Sequence, residues 1–187
     1  MSKLSRQLSW SLLLLLLASG SLFGCDLTKF VIKKGAHYST QRVRLVGGDE
    51  LKFGVLFDES AVYRTQDPQN QGDINKLYGF SDCASHHQTN SARFGWRWLN
   101  DRLEILAYTY VDSQRQSKLL GVAQIGQTFE AGLRTEGQSY VFTFNGVETV
   151  MPRGCDGKGN PKYQLWPYFG GDETAPHEIT IYIEEHD

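Results

Sequence analysis

The sequence of 187 residues lacks the short motifs that mark the common enzyme classes. It contains no G-x-S-x-G nucleophile elbow, no phosphate-binding loop, no dinucleotide-binding glycine triad and no H-E-x-x-H zinc motif. It also has no cluster of lysine and arginine, and no window of apolar residues at helical spacing that is long enough to predict a helix. These absences remove the sequence support for those enzyme classes, for a nucleic-acid partner and for a helical fold.

Long apolar runs are also missing, except near the beginning of the chain. Leu12–Leu17 is an unbroken run of leucine, preceded by the positive charges of Lys3 and Arg6. This order predicts a secretory signal, because the apolar stretch is too short to cross the roughly 30 Å of hydrocarbon in a bilayer. The signal closes with Leu22-Phe23-Gly24-Cys25, which resembles the lipobox of bacterial lipoproteins.

The lipobox resemblance implies that residues 1–24 are removed and that Cys25 carries acyl chains such as palmitate. These chains would attach the protein to a membrane of the bacterial cell envelope, facing the periplasm or the cell surface. The alternative is an ordinary signal peptide with a chance cysteine, and the sequence leaves inner and outer membrane open. Removing 24 of the 187 residues leaves 163, with 17 basic and 21 acidic side chains and a net charge of −4.

Cys83 and Cys155 are the cysteines that remain after the lipidation site. An even pair in an exported protein predicts a disulfide, with two free thiols as the alternative. In the chain-entropy model a bridge over this separation adds roughly 4 kcal/mol of stability. No C-x-x-C spacing occurs, so the sequence predicts no metal site and no cofactor.

The strongest structural signals are two β-hairpins. A two-residue turn at Asn100-Asp101 places apolar residues opposite one another on one face and pairs Arg97 with Glu104 on the reverse face. Asn145-Gly146 predicts a second turn of the same length. Further strands are predicted at Gln41–Val46, Leu51–Phe57, Ala61–Arg64, Ile74–Phe80, Leu119–Ala123, Thr128–Arg134, Tyr163–Phe169 and Glu178–Glu184.

About ten short strands at regular spacing predict an all-β fold, an antiparallel two-sheet sandwich of jelly-roll type. A small β-barrel is the alternative. The predicted organisation is a signal peptide at residues 1–24, a lipidated cysteine and tether at residues 25–40, and one sandwich domain at residues 41–187.

Three segments, Lys76–Asp82, Asn90–Trp98 and Leu103–Tyr110, resemble concanavalin-type or laminin-G-like β-sandwich modules. The resemblance lies in the general pattern of residues and in the order of strands, and it covers roughly Gln41 to Glu184. It implies a cell-surface module that binds or cleaves polysaccharides. The paired acids of the retaining glucanases and the arginine-rich strand motif of the alginate lyases are missing, so the resemblance assigns no catalytic residue.

The reverse face of the first hairpin is the candidate ligand-binding surface, and it carries Arg93, Arg97, Glu104, Tyr108 and Tyr110. Tyrosines stack on sugar rings, while arginine and glutamate form hydrogen bonds with hydroxyl or carboxylate groups. This combination predicts a glycan groove. The alternative is a solvated sheet face, on which an Arg97–Glu104 pair contributes less than ~1 kcal/mol.

His86 and His87 lie in a polar loop just before the hairpin. An imidazole titrates near neutral pH, so either histidine is a candidate proton shuttle, and with Asp82 the two are candidate metal ligands. The alternative is a hydrogen bond that braces the loop. The aromatic and glycine-rich segment Trp166–His177 is either a plug for the core or a platform for a ligand.

The leading functional hypothesis is a non-catalytic, lipid-anchored envelope protein that binds a glycan or another extracytoplasmic partner. A polysaccharide lyase or glycoside hydrolase of the same architecture is the enzyme alternative, and its chemistry would involve Arg93, Arg97, Tyr108 and His87. A structural subunit of an envelope assembly is the third possibility.

Overall fold

A computed structural model describes residues 27–40, 42–157 and 161–186, which form two antiparallel sheets of six strands each. The predicted lipidation site Cys25 and the leader lie outside the described residues. The sheets pack face to face and do not close into one cylinder, so the predicted sandwich is confirmed and the barrel alternative is wrong. None of the helices among the described residues is long and apolar enough to cross a bilayer.

Each sheet combines strands from distant parts of the chain. The first contains, in spatial order, β1 (Thr28–Ile32), β12 (Ile179–His186), β3 (Glu50–Phe57), β8 (Phe129–Glu136), β9 (Ser139–Phe144) and β10 (Val147–Pro152). The second contains, in spatial order, β2 (Leu45–Val46), β11 (Lys162–Leu165), β4 (Asn75–Ser81), β5 (Ser91–Leu99), β6 (Arg102–Val111) and β7 (Gln114–Ala123). Two short 3-10 helices, Glu59–Ala61 and Pro68–Gly72, connect β3 to β4.

The core between the sheets is rich in aromatic rings. Phe94 of β5 packs against Phe53 and Phe142 of the opposite sheet, with ring centroids 5.5 and 5.2 Å apart. Trp96, two residues further along β5, packs on Phe57 at 5.0 Å. All of these side chains are essentially inaccessible to water, and burying each one stabilises the fold by about 1.5–3 kcal/mol. This packing fixes which face of β5 points inward.

Both predicted hairpins are confirmed with their registers. Arg97 pairs with Glu104 across β5 and β6, and Phe144 pairs with Val147 across β9 and β10. The turn residues Asn100 and Asp101 have φ angles of 51° and 55°. Two consecutive positive φ values define the tight turn that matches the twist of a hairpin, and asparagine and aspartate tolerate this backbone better than most residues.

The tether predicted at residues 25–40 is wrong for residues 28–32. These residues form β1, which pairs with β12 and buries Phe30 and Ile32 in the core. The strand has five residues, too few for its alternation to stand out against the polar residues around it. The tether also does not describe residues 35–39, because these form backbone hydrogen bonds with residues 167–175.

Four predicted strands differ from the observed ones. Of the described residues in Gln41–Val46, only Leu45–Val46 form a strand. No strand forms at Ala61–Arg64, and β11 ends at Leu165 rather than at Phe169. Pro167, two residues beyond β11, lacks the N–H group that a continued ladder would need. Strand β7 begins at Gln114, five residues before the predicted start. Most of its first residues are exposed, so they show no apolar alternation.

A disulfide and a buried ion pair join β4 to the segment after β10. Cys83 and Cys155 are bonded, with their Cα atoms 5.9 Å apart, which confirms the predicted bridge. Next to it, Arg153 donates to both carboxylate oxygens of Asp82 at 2.5 and 3.1 Å, and also to the carbonyl oxygens of Gly137 and Gly157. Both charged side chains are almost completely buried.

We expect Arg153→Met to destabilise the fold by about 3–5 kcal/mol, because it leaves the Asp82 carboxylate buried without a partner. Urea unfolding measures the loss. The matched control is Arg134→Met, which removes ion pairs to the exposed Glu136 and Glu148 and should cost less than ~1 kcal/mol. Equal losses for the two variants would contradict a structural role for the buried pair.

Candidate functional site

A groove with a volume of about 680 Å³ lies on the outer face of the second sheet. The described residues of its lining include no aspartate and no glutamate, while they include three basic side chains, two histidines and several aromatic rings. The cations are Arg42, Lys76 and Arg93, and the rings are those of Tyr38, Tyr108, Tyr110, Tyr163, Trp166 and Tyr168. The groove therefore combines positive charge with surfaces on which a ring can stack.

Arg93 and Lys76 form the charged floor of the groove. The Arg93 guanidinium carbon lies 5.6 Å from the centroid of the Tyr108 ring, and the Lys76 ammonium lies 5.2 Å from the same centroid. Arg93 is only 8 % exposed, and its Nε has no hydrogen-bond partner. Its side chain forms no ion pair with any described residue. A buried cation without an acid is costly, and such a group is common at functional sites.

The strand geometry explains how Arg93 reaches this position. Successive residues of a strand point to opposite faces, so the inward orientation of Phe94 turns Arg93 outward. Gly79 of β4 is paired with Arg93. A Cβ atom at Gly79 would lie 2.4 Å from the Arg93 Cα, and therefore only glycine allows this close approach. A Cβ at Gly170 would lie 2.5 Å from the Ile74 carbonyl oxygen, and it would also displace the Lys76 ammonium nitrogen, which lies 2.3 Å away.

The environment of the groove floor lowers the pKa of Lys76 and of Arg93 and raises the pKa of Tyr108. Burial, with the positive charges of Arg93 and Arg115, lowers the pKa of Lys76 to about 8. Burial also lowers the pKa of Arg93. In the opposite direction, burial and a hydrogen bond with Tyr110 raise the pKa of Tyr108 to about 12. Tyr108 is thus a neutral phenol at pH 7, so the positive charges of Arg93 and Lys76 are not neutralised by it.

His87 and Tyr163 form a hydrogen-bonded pair on another wall of the groove. The Tyr163 hydroxyl accepts a hydrogen bond from the His87 backbone N–H at 2.9 Å and contacts the His87 Nδ1 at 3.1 Å. Burial, followed by repulsion from Arg93 and His86, lowers the pKa of His87 to about 4. The imidazole is therefore neutral at pH 7. The His86 ring packs against it at an interplanar angle of 39°, with ring centroids 4.1 Å apart.

The aromatic wall is built by two loops that brace each other. Tyr168 stacks on His37 at 5.1 Å and meets the edge of Tyr38 at 5.0 Å. Backbone hydrogen bonds tie the same segments together, from Phe169 N–H to His37 C=O and from Ser39 N–H to Pro167 C=O. The loop that carries Tyr168 is therefore held in place by residues that the sequence assigned to a tether.

The structure brings together three of the five predicted ligand-binding residues. Arg93, Tyr108 and Tyr110 line the groove, and both histidines of the preceding loop line it with them. In contrast to the predicted solvated face, Arg93 and Tyr108 are buried, since the loops around the groove cover this part of the sheet.

Arg97 and Glu104 lie apart from the groove. Arg97 donates to Glu104 at 2.7 Å and to the Gly72 carbonyl at 2.8 Å. Four residues along a strand separate Arg97 from Arg93, a distance of roughly 13 Å. The two arginines share a face of the sheet, but the structure does not bring Arg97 and Glu104 together with the groove residues.

The segment Trp166–His177 contributes to the core and to the lining of the groove. Phe169 plugs the core, while Trp166 and Tyr168 line the groove. Glu173 accepts hydrogen bonds from two backbone N–H groups and from Asn70 at the beginning of the second 3-10 helix. The residues that sequence reasoning missed are Tyr38, Arg42, Lys76, Tyr163 and Gln164.

Asp82 does not join the histidines as a metal ligand. Among the described residues, the group with ligand atoms close enough for a metal ion is Asp82, Cys83 and Cys155. The two sulfur atoms are bonded to each other and the carboxylate is paired with Arg153. This group therefore has no free donor set to offer an ion.

Comparison with known proteins identifies the fold only. No family model and no curated protein matches the sequence. An alginate lyase from Chlorella virus superimposes with a TM-score of 0.55 at 14 % identity, covering 88 % of this chain and 85 % of that chain. The alginate lyase AlyC3 gives 0.58 at 9 % identity, covering 86 % and 74 %. A Bacteroides ovatus mixed linkage glucan GH16 protein gives 0.55 at 7 % identity, covering 87 % and 80 %. These likenesses confirm the jelly-roll sandwich.

We expect Arg93→Met to stabilise the fold by about 1–2 kcal/mol, because it replaces a buried cation that has no acid partner with an apolar side chain of similar volume. Thermal and urea unfolding measure the change. Arg97→Met is the matched control on the same strand, and it should destabilise the fold, since it leaves the buried Glu104 carboxylate with only the long ion pair to the exposed Arg102 at 4.0 Å. Destabilisation by Arg93→Met would show that Arg93 supports the fold.

Proposed function

We propose that this protein binds an acidic polysaccharide in the groove, without cleaving it, at the surface of a bacterial cell envelope to which acyl chains on Cys25 attach it. The observation that carries the proposal is Arg93, a buried guanidinium without an acid partner at the floor of an open groove. The protein bears the cost of burying this charge. A carboxylate on a ligand would supply the missing partner.

The groove suits a uronate sugar in two respects. A guanidinium binds a carboxylate through two parallel hydrogen bonds, and the Lys76 ammonium adds a second positive charge beside the same tyrosine ring. None of the described lining residues is an acid that would repel an anion. The tyrosine and tryptophan rings offer apolar faces against which the C–H faces of a sugar pack. The proteins of similar fold include alginate lyases and a mixed linkage glucan GH16 protein, which supports a glycan as the ligand.

A panel of soluble polysaccharides tests this proposal. Alginate, polygalacturonate and hyaluronan should bind the mature domain, while neutral glucans of equal length should not. Arg93→Met should weaken binding of the acidic polymers by at least about tenfold, the effect of losing roughly 1.4 kcal/mol. Calorimetry measures both. Arg134→Met, a surface cation outside the groove, is the control for general charge. Equal binding of neutral and acidic polymers would contradict the proposal.

Binding should also depend on pH through Lys76. The pKa of Lys76 in the free protein is about 8, and a bound carboxylate would raise it. Affinity is therefore full below pH 8 and falls by up to about tenfold per pH unit above it, until the ammonium of the complex also titrates. Lys76→Met should bind more weakly at pH 7 and lose this decline. An affinity of the wild type that is constant from pH 7 to 9 would contradict a role for Lys76.

A polysaccharide lyase is the second candidate, favoured by the contact of the neutral His87 with Tyr163 in the same groove as Arg93. A lyase cleaves a uronate polymer by β-elimination. A base takes the C5 proton, the C4–O4 bond breaks, a C4–C5 double bond forms and the leaving O4 receives a proton. Arg93 would neutralise the carboxylate that makes the C5 proton acidic, and the His87–Tyr163 pair would accept and supply the protons.

Unsaturated sugar ends distinguish the two candidates. Incubation with alginate, polygalacturonate or hyaluronan should produce the ultraviolet absorbance of a conjugated double bond if the protein is a lyase, and His87→Gln with Tyr163→Phe should abolish it. If the protein only binds, the polymers keep their length and no absorbance develops. In that case the His87→Gln and Tyr163→Phe variants should retain most of their affinity.

A further inference from the structure

A second cavity, with a volume of about 420 Å³, adjoins the groove. His86 and Tyr163 line both spaces, so the two cavities meet along a ridge formed by these side chains. The ridge is held in place, because Tyr163 is fixed through its hydroxyl by His87 and through its backbone N–H by Ser81. A polymer that leaves the groove over this ridge enters the second cavity.

Strand β2 and the residues before it form an apolar rim along both cavities. Val43 lines the groove and Leu45 lines the second cavity, and the two side chains are 87 % and 74 % exposed. Leu45 is the direct cross-strand partner of Tyr163, and directly paired residues point to the same face of a sheet. The exposed leucine therefore stands beside the ridge, where it contacts a ligand that crosses.

The charge of the second cavity differs from that of the groove. Among the described residues that line it, the one permanent charge is Lys162, whose ammonium is already bonded to Asp49 at 2.6 Å and to the Gly48 carbonyl at 3.1 Å. The other residues that line only this cavity are Leu45, Ala84, Ser85 and Pro161. The described part of the lining therefore offers no unpaired cation to a carboxylate. It does offer apolar contacts.

We propose that the second cavity is a subsite for an uncharged sugar unit, either a neutral sugar or an esterified uronate, that neighbours the charged unit held by Arg93. This inference rests on the proposed binding of acidic polysaccharides. The ligand it describes is a partly esterified or mixed acidic and neutral chain, bound with its ester group or apolar face against Leu45. The groove then binds a charged unit and the second cavity binds an uncharged unit, so the two sites together select a polymer in which such units are neighbours.

Galacturonate oligosaccharides of defined length, with and without partial methyl esterification, test the subsite by calorimetry or NMR titration. For the wild type, the partly esterified hexasaccharide should bind more tightly than the free acid of the same length. Leu45→Ser should weaken binding of the esterified hexasaccharide by about fivefold and leave the disaccharide unchanged. Leu45→Lys should shift the preference toward the free acid. Val147→Ser is the matched control, because this valine is 66 % exposed on the other sheet.

The outcomes separate the subsite from the proposed function. If Leu45→Ser binds every oligosaccharide as the wild type does, or if the hexasaccharide binds no more tightly than the disaccharide, the subsite is wrong while the groove can still bind. If the wild type binds no galacturonate and no alginate oligosaccharide, or if Arg93→Met binds them equally well, the proposed function fails and the subsite fails with it.

Discussion

The alternation of side chains along β5 is the constraint on which the candidate site depends. Phe94 and Trp96 are completely buried between the two sheets, and their packing determines that Arg93 faces the opposite side. A shift of the register by one residue would put the guanidinium into the core and the aromatic rings into the groove. The packing energy of the sandwich therefore also holds the cation in its place, without any acid to attract it.

Two buried arginines show how the same residue type serves different purposes. Arg153 is paired with Asp82 next to the disulfide and joins two parts of the fold. Arg93 has a tyrosine ring beside it, and no acid among the described residues pairs with it. An arginine that supports a fold finds its anion within the fold, and one that does not is ready to take an anion from outside. The positive charge of the groove therefore comes from an arginine that the fold does not neutralise.

The strands and hairpin registers were predictable from two signals that agreed. The turn residues, such as Asn100-Asp101, set a register, and that register placed the alternating apolar residues of both strands on one face. The groove was less predictable because it is assembled from residues far apart in the chain. Lys76 lies where the register of β4 against β5 shifts, so its face could not be obtained by counting alternate residues. Tyr168 is positioned by hydrogen bonds from residues 37–39, which show no periodicity. The sequence did indicate Arg93, Tyr108 and Tyr110 through the hairpin register, and His86 and His87 through their place in the loop before it.

Strand β1 has a consequence for where such a protein can act. It begins at Thr28, and an acyl group on Cys25 would be separated from it by only Asp26 and Leu27. Three extended residue steps span at most about 11 Å, less than half the thickness of the hydrocarbon layer itself. With so short a linker, the sandwich domain would lie against the lipid headgroups. A polysaccharide would then have to reach the membrane surface in order to bind.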